Sequence, residues 1–304
     1  MKKCNFLIAG ISQNDLDQKV WERLERLSQQ KLLRLTDVDS LLVKFNPVDS
    51  RFMESMPNLK YIGILATGFG KIDLEYAKKK NITVCNVPGY STESVAEFTF
   101  SVILDHLRDL ERAKRQVRDG NYSEFGFRAT EIRDKKFGII GLGMIGTRVA
   151  QIAQGFGADV SYWSRNRKRD AEKKGIKFQE LDELLLHSDF LSLHLSLTVE
   201  TQNFLNRKRI AKIKKGAVVI NLAPMELVDI KALSERLKKD EISFILDHSD
   251  EMTNEDLQKL LKYQNCIIYP PIAYISEEAK KSKQEIFVSN IENFLSGNPQ
   301  NKVN

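Results

Sequence analysis

Short apolar runs rich in β-branched residues alternate with amphipathic stretches through the first third of the chain. The runs that predict strands are Cys4–Gly10, Ser40–Phe45, Lys60–Ala66 and Ile82–Val87. Between them, stretches such as Leu16–Leu27 and Ile72–Lys80 place apolar residues at helical spacing. Strands that alternate with helices in this way predict crossover connections and a parallel sheet.

A second alternating series follows a predicted long helix, Ser91–Gln116, and a loop, Gly120–Thr130. Its strand candidates are Phe137–Ile140, Ala158–Trp163, Phe190–Leu195, Ala217–Leu222, Ile242–Asp247 and Cys266–Tyr269. Strands in this number with helices between them form a complete doubly wound unit. A last helix, Ser276–Leu295, is predicted to end before Gly297. The sequence therefore predicts an α/β protein with two doubly wound parallel-sheet domains.

Composition narrows the class of protein. The 304 residues are 42% hydrophobic and 29% charged, enough for a sizeable core. The apolar start, Met1–Gly10, is too short for a membrane span and lacks a signal-peptide cleavage site. The formal charge of +6 comes from bases interleaved with acids, which favours a solvated lysine-rich surface over nucleic acid binding.

Cysteine usage points to a cytoplasmic protein without a metal site. Cys4, Cys85 and Cys266 are odd in number and widely spaced, as expected of reduced, buried thiols. The sequence contains no CxxC or HxxxH pair, so we expect no metal ion.

The sharpest motif is a glycine-rich loop, Gly141-Leu142-Gly143-Met144-Ile145-Gly146, between a predicted strand and a predicted helix. Gly141 would allow a tight turn, Gly143 the approach of a pyrophosphate to the backbone, and Gly146 close packing of the helix. Free N–H groups at the start of the helix would face the anion. A plain glycine turn is the alternative, but the context favours dinucleotide binding.

The end of the next strand bears on the choice of cofactor. An acid there would bind the ribose 2′-hydroxyl of NAD, but the chain has Ser164. The basic cluster that follows, with Arg165, Arg167 and Lys168, would neutralise a 2′-phosphate. We therefore expect NADP(H) over NAD(H); the alternative is a solvated, basic start of a helix.

Three stretches resemble the D-isomer-specific 2-hydroxyacid dehydrogenases, of the glycerate dehydrogenase and hydroxypyruvate reductase kind. They are Leu59–Phe100, the glycine loop and Ser188–Asp229, and the likeness extends over nearly the whole chain. The resemblance implies a flavodoxin-like substrate domain from residues 1–100 and 280–304. It implies a Rossmann nucleotide domain from residues 101–279, a cleft between the two domains, and a homodimer.

The resemblance also assigns residues. Backbone groups at Ala66, Thr67 and Gly68 would hold a substrate carboxylate, with the loop at Lys44 beside them. The cofactor contacts would include the three loop glycines, Gly141, Gly143 and Gly146, and the residues after the second strand of the nucleotide domain, Ser164, Arg165, Arg167 and Lys168. The other contacts would be Met144, Ile145, His194, Leu195, Thr201, Ala223 and Asp247.

The chain differs from the family at the positions of the catalytic residues. The family reduces a 2-oxo acid with an arginine, a histidine and a glutamate, which polarise the carbonyl, protonate the alkoxide and orient the acid. Here the arginine position is Pro224 and the histidine position is Pro271. The glutamate position is Met252, or Glu251 after a one-residue slip.

A small alignment error does not restore these residues. No histidine follows His248, and no arginine lies between Arg209 and Arg236. Loss of a general acid costs roughly 10²–10⁴ in rate, and loss of the cation costs transition-state stabilisation as well. The sequence therefore predicts that the usual 2-oxo acid reduction is lost or strongly altered.

Two readings of function remain. In the first, the protein binds NADP(H) without reducing 2-oxo acids and senses the nucleotide or acts in a complex. In the second, it is an oxidoreductase on a small oxo or hydroxy acid or a related compound, with His248, Glu251 or Tyr274 as substitute groups. We favour the first, in which these side chains only line the cleft. A third alternative, nucleic acid binding, is supported only by the net positive charge, and we give it little weight.

Overall fold

The computed structural model of the protein describes residues 3–29, 34–44 and 46–304, without the side chain of Glu251. Phe45, at the end of a predicted strand, therefore lies outside the described residues. The chain forms two compact units. Unit 1 comprises Met1–Ser91 with Ile275–Asn304, and unit 2 comprises Thr92–Tyr274.

Unit 1 contains a parallel sheet whose described strands are β1 Phe6–Ala9, β2 Ser40–Val43, β3 Tyr61–Ile64 and β4 Thr83–Cys85, in the order β1-β2-β3-β4. Its helices are α1 Gln18–Leu27, α2 Ser50–Glu54, α3 Leu74–Lys79 and, from the far end of the chain, α12 Glu277–Leu295. The register of each pair is parallel, as between Leu41 and Ile62.

Helices cover both faces of this sheet. Leu41 and Val43 point into a core shared with α2 and α3, whereas Leu42 points into a core shared with α1 and α12. Successive residues of a strand face opposite sides, so a strand buried on both faces is apolar throughout. This explains why Leu41, Leu42 and Val43 of β2 form an uninterrupted apolar run in the sequence.

Unit 2 contains a seven-stranded parallel sheet. Its strands are β5 Lys136–Ile140, β6 Asp159–Trp163, β7 Lys177–Phe178, β8 Phe190–Leu193, β9 Ala217–Asn221, β10 Ile242–Leu246 and β11 Cys266–Ile268. The order is β11-β10-β9-β8-β5-β6-β7, so the strand order reverses between β5 and β8. Ligands of open α/β sheets bind at the carboxyl ends of the strands at such a point.

The helices of unit 2 are α4 Thr92–Arg108, α5 Leu110–Arg118, α6 Met144–Gly155, α7 Arg169–Glu172, α8 Leu181–His187, α9 Arg207–Lys212, α10 Ile230–Lys238 and α11 Asn254–Leu260. One core of the sheet includes buried residues of α4 and α6, and the core of the opposite face includes those of α8 to α11. The predicted fold class, two parallel-sheet α/β domains, is confirmed.

Three details differ from the prediction. The predicted helix over 91–116 is two helices, because Asp109 takes a left-handed φ of 50° between α4 and α5. Both domain boundaries are shifted: residues 92–100 belong to unit 2, where Phe100 of α4 stacks 5.7 Å from Phe137 of β5, and residues 275–279 belong to unit 1. The strand β7 was not predicted, since two residues are too few to form a recognisable pattern. Within the described residues, no helix has the length and apolar character that crossing a bilayer requires.

Candidate functional site

The turn that follows β5 is tied to both neighbouring strands. The N–H of Gly141 donates to the carbonyl of Trp163 at 2.8 Å, and the N–H of His194 donates to the carbonyl of Ile140 at 2.8 Å. Gly141 has a φ of 95°, and a β-carbon on it would lie 2.5 Å from the His194 carbonyl oxygen. Only glycine fits at this position.

The other two glycines of the loop differ from each other. A β-carbon on Gly146 would lie 2.1 Å from the Gly141 carbonyl oxygen, so the start of α6 packs directly against the turn. A β-carbon on Gly143 would have no atom within 4 Å, and its φ of −82° suits any residue. Neither packing within the protein nor backbone conformation requires glycine at position 143, which leaves the approach of a ligand as the reason for it.

The start of α6 is built to receive an anion. Gly143 is the N-cap residue and supplies no side-chain cap, and the side chain of Met144 is 59% exposed. The first N–H groups of a helix have no partner within it and point along the axis with the positive end of the helix dipole. A dinucleotide pyrophosphate fits this position.

The loop after β6 holds the residues that bear on the choice of nucleotide. The Ser164 hydroxyl donates to the carbonyl of Asn166 at 2.6 Å. Arg165 forms an ion pair with Glu200, and both side chains are about two-thirds exposed (68% and 69%). Exposed pairs of this kind contribute little to stability, so a ligand can displace one partner at small cost.

Arg167 and Lys168 are placed differently from Arg165. The guanidinium of Arg167 binds Glu172 through two hydrogen bonds, of 3.1 and 2.6 Å, and lies 4.8 Å from the centre of the Phe178 ring. The backbone N–H of Lys168 donates to the Tyr162 hydroxyl at 2.6 Å. The cluster predicted from the sequence thus contains one guanidinium held firmly by neighbours and one held by a single exposed carboxylate.

The segment after β8 contains a histidine that stays neutral. The Nε2 of His194 shares a hydrogen bond with the Ser192 hydroxyl at 2.8 Å, and burial lowers the pKa of His194 to about 3. Leu195 packs against the core of unit 2, and the hydroxyl of Thr201 donates to the carbonyl of Ser196 at 2.7 Å. His194 is therefore a neutral hydrogen-bonding group rather than a proton donor at physiological pH.

Pro224, at the position predicted for the arginine, follows β9. Its φ of −51° starts a single 3₁₀ turn, Met225–Leu227, and the side chain of Met225 is buried in the core. The buried amide of Asn221 accepts from the N–H of Ala223 at 3.3 Å and donates to the Met225 sulfur at 3.2 Å. The loop is thus packed around an apolar side chain and presents no cation.

Asp247, directly after β10, joins two loops. Its carboxylate is 1% exposed and accepts from the N–H of Ala273 at 3.0 Å. The ring of His248 lies 3.8 Å from the other carboxylate oxygen of Asp247, with 22% of the side chain exposed. The structure thus brings one stand-in candidate, His248, beside a buried carboxylate at the carboxyl edge of the sheet.

Pro271 lies in a tight turn after β11. The N–H of Ile272 donates to the Pro270 carbonyl at 2.7 Å across it, and the Ala273 carbonyl accepts from the Ser94 hydroxyl at 2.7 Å. Because the Asp247 carboxylate accepts from the Ala273 N–H, both backbone polar groups of Ala273 are hydrogen-bonded. Tyr274, which follows it, is half-buried.

Met252 and Glu251 are the two candidates for the predicted glutamate position. Met252 packs against the core of unit 2, and the side chain of Glu251 lies outside the described residues. Across the loops 222–229, 247–253 and 269–274, all of them within the described backbone, the sequence contains no lysine or arginine. In the described part of the chain, no group of three or more His, Cys, Asp or Glu is arranged to hold a metal ion.

The predicted substrate residues lie at the carboxyl edge of the sheet in unit 1. The Thr67 hydroxyl donates to the Val87 carbonyl at 2.9 Å, and the Ala66 carbonyl accepts from the N–H of Val87 at 3.0 Å. A β-carbon on Gly68 would meet no atom within 4 Å. Lys44, immediately after β2, forms an ion pair with Asp15 at 2.5 Å.

Sequence reasoning missed a second lysine in this region. Lys283 of α12 lies 5.5 Å from the centre of the Tyr90 ring and interacts electrostatically with Lys44. A signal for it exists in the sequence, because Lys283 stands four residues after Ala279 and four before Phe287, both buried. A lysine in an apolar stripe of a helix marks a position that packing alone does not explain.

Comparisons with known proteins agree with this arrangement. Residues 100–273 match the family described as "D-isomer specific 2-hydroxyacid dehydrogenase, NAD binding domain". The chain is 31% identical over 295 residues to the hydroxypyruvate reductase of Blautia hydrogenotrophica, covering 94% of this chain and 91% of that protein.

Solved structures extend the likeness to the whole fold. A D-lactate dehydrogenase from Aquifex aeolicus, complexed with NAD and lactic acid, matches with a TM-score of 0.86 and 31% identity over 97% of this chain and 96% of that one. An acyclic imino acid reductase (Bsp5), in complex with NADPH and D-Arg, matches with a TM-score of 0.86 and 28% identity over 100% of both chains. From the matched domain and the full-length similarity, we conclude that the chain belongs to the D-isomer specific 2-hydroxyacid dehydrogenase family, as the resemblance of its motifs predicted.

Proposed function

We propose that this protein binds NADP(H) and no longer reduces 2-oxo acids in the manner of its family. The observation that carries the proposal is the pair of prolines, Pro224 and Pro271, at the positions of the cation and the proton donor. Proline has neither a titratable group nor a backbone N–H. Bound NADPH would supply hydride, but no residue at these two positions would stabilise the developing alkoxide or protonate it.

Nucleotide binding is supported by the glycine loop. The open space at Gly143 accommodates a pyrophosphate at the start of α6. The preference for NADP(H) rests on two residues. Ser164 does not repel a 2′-phosphate as a carboxylate at this position would. Arg165 forms an exposed ion pair with Glu200 that a phosphate can displace at a small cost in free energy. We assign the 2′-phosphate to Arg165 rather than to Arg167, because Glu172 already binds the Arg167 guanidinium through two hydrogen bonds.

A second candidate function has one specific observation in its favour. His248 stands 3.8 Å from the buried carboxylate of Asp247, an arrangement that suits a proton donor held by an acid. In this reading the protein is an NADPH-dependent oxidoreductase on a small oxo or hydroxy acid or a related compound, with Glu251 and Tyr274 as further candidates. The similarity to an imino acid reductase solved with NADPH points to a related class of substrate.

The deciding experiment measures binding and turnover on the same sample. The purified protein is titrated with NADPH and with NADH by nucleotide fluorescence, and NADPH oxidation is then followed with glyoxylate, hydroxypyruvate and pyruvate. We expect tight NADPH binding, weaker NADH binding and no turnover. Turnover that His248→Ala abolishes, with NADPH affinity unchanged, would replace the first function by the second.

We further propose a homodimer acting in the cytoplasm. The family resemblance implies the dimer, and the three buried, unbridged cysteines suit a reducing compartment. Light scattering of the purified protein gives the mass in solution, and a mass of one chain would contradict the dimer.

A further inference from the structure

A cavity of about 120 Å³ opens near the amino edge of the sheet in unit 2, between the starts of β5, β6 and β7 and the end of α8. The polar residues on its wall include Lys136, Asp159, Ser161, Lys177, Gln179 and His187. Strand β5 runs from Lys136 at this edge to the turn at Gly141. At about 3.3 Å per residue, the cavity lies roughly 16 Å from the nucleotide loop, so the two places are separate.

The cavity exists because the end of α8 rests on a strand position without a side chain. A β-carbon on Gly138 of β5 would lie 2.2 Å from the hydroxyl oxygen of Ser188, the residue directly after α8. The strand register pairs Gly138 with Ser161 and Ser161 with Lys177, so these positions share one face of the sheet. The short side chain of Ser161 leaves the open space between this face and the end of α8.

The hydroxyl of Ser161 has no hydrogen-bond partner within the part of the chain that the structure describes. Ser161 is 7% exposed and lies in β6, which β5 and β7 flank on both sides. A buried hydroxyl without a partner costs stability, and proteins satisfy nearly all such groups with protein atoms or a bound molecule. Because Ser161 lines the cavity, a molecule inside the cavity would supply the missing bond.

The lysines at the cavity bring more positive charge than its wall neutralises. Lys177 pairs with Asp159 at 2.7 Å, whereas the ammonium of Lys136 has no carboxylate partner among the described residues. Asp189, which accepts from the backbone N–H of Lys136 at 2.9 Å, already pairs with Lys214 at 2.6 Å. Two ammonium groups on the wall beside one carboxylate leave one positive charge in excess, which an anion would neutralise.

The other polar side chains of the wall add a donor and no further charge imbalance. His187, the last residue of α8, lies 3.2 Å from Glu183 of the preceding turn, so a protonated ring is already paired. The side-chain amide of Gln179 forms no hydrogen bond within the described residues. Amide, hydroxyl and ammonium groups all donate, and an oxyanion only accepts.

We propose that this cavity binds a small tetrahedral oxyanion of the phosphate or sulfate type. The Ser161 hydroxyl donates from the sheet, and the ammonium groups of Lys136 and Lys177 donate from the strands on either side of β6. Hydrogen bonds from charged donors to an anion are among the strong ones. A tetrahedral anion has oxygens in all these directions, whereas the two oxygens of a carboxylate share one plane. The site goes beyond nucleotide binding and does not depend on it.

The test measures binding of radiolabelled inorganic phosphate to the full chain by equilibrium dialysis at constant ionic strength in sodium chloride. Saturating NADPH keeps phosphate out of the nucleotide loop. Lys136→Met and Ser161→Ala should each weaken phosphate binding roughly fivefold or more, because each removes one donor. Lys174→Met is the matched control, since Lys174 is exposed and lies outside the cavity wall, and it should leave the phosphate affinity unchanged. Thermal melting verifies folding, and the two variants on separate strands are independent tests.

Several outcomes would overturn the site. They are an absence of phosphate binding to the folded wild-type chain, unchanged phosphate affinity in both cavity variants, or an equal loss in Lys174→Met. Sulfate should displace the labelled phosphate and acetate should not, and equal displacement by acetate would contradict the tetrahedral class.

The same dialysis without nucleotide separates this site from the proposed function. Phosphate binding that Ser161→Ala weakens, in a chain that does not bind NADPH, would reject the proposed function and leave the site intact. NADPH binding without phosphate binding would reject the site alone.

Discussion

A β-carbon added to Gly146 would lie 2.1 Å from the carbonyl oxygen of Gly141, whereas one added to Gly143 would meet no atom within 4 Å. Gly146 is required by the fold, because α6 packs against its own preceding turn at this residue. At Gly143, by contrast, no protein atom fills the space that a side chain would occupy. The two positions therefore separate the stability of the nucleotide loop from its function.

Gly146→Ala and Gly143→Ala form a matched pair. We expect Gly146→Ala to lower the free energy of unfolding by about 1–3 kcal/mol, since backbone must move to admit the methyl group. Gly143→Ala should melt like the wild type but bind NADPH at least tenfold more weakly, because the methyl group occupies the approach of the pyrophosphate. Urea denaturation and NADPH titration measure the two effects. Wild-type NADPH affinity in Gly143→Ala would refute the assigned cradle.

Arg165→Ala tests the assignment of the 2′-phosphate. A hydrogen bond to a charged group contributes about 1.5–3 kcal/mol, so the affinity for NADPH should fall roughly tenfold or more. The affinity for NADH should stay the same, because NADH lacks this phosphate. Arg167→Ala is the control, since Glu172 holds that guanidinium, and it should change NADPH affinity little. If Arg167→Ala has the larger effect, the assignment is reversed.

Glu200→Gln tests the competition for Arg165. The 2′-phosphate must displace Glu200, and an exposed pair of this kind is worth about 0.2–1 kcal/mol. Removing the charge should therefore tighten NADPH binding by the same free energy, which corresponds to roughly 1.4- to fivefold. Titration at low and high salt measures the effect, which should shrink as salt screens the pair. Weaker NADPH binding in Glu200→Gln would show that the carboxylate assists the nucleotide instead.

The sequence alone was sufficient for the parallel sheets and the nucleotide loop, because both depend on local patterns. Strands buried on both faces contain continuous apolar runs, such as Leu41–Val43 of β2, and the glycines of the loop have a characteristic spacing. The predicted last helix, Ser276–Leu295, also agrees with α12, whose N-cap residue Ser276 accepts from the N–H of Ala279 at 3.0 Å through its hydroxyl.

Features that leave no clear mark in the local sequence, or that depend on distant partners, were not predictable. The break at Asp109 has no glycine or proline to mark it, so the apolar spacing of α4 and α5 suggested one helix. Arg167 and Arg165 are equivalent in the basic cluster, and only the fold brings Glu172 to one and Glu200 to the other. The interaction of Lys283 with Lys44 joins residues far apart in the chain.

His194 should make the protein sensitive to acid. Burial lowers its pKa from 6.5 to about 3 in the folded state, so only the unfolded chain takes up this proton between those values. Stability is therefore lost as the pH falls from 6.5 towards 3, by about 2 kcal/mol at pH 5. His194→Gln should remove this part of the slope of unfolding free energy against pH. An unchanged slope in His194→Gln would mean that the ring is hydrated.

Lys283→Met should stabilise the protein. The pKa of Lys283 is lowered in the folded state, so the unfolded chain holds this proton more tightly and the charge opposes folding below that pKa. We expect the melting temperature at pH 7 to rise by roughly 2 °C, a small gain because solvent screens a part-exposed ammonium. A lower melting temperature in Lys283→Met, with that of the exposed control Lys281→Met unchanged, would indicate that the contact of Lys283 with Tyr90 stabilises the fold.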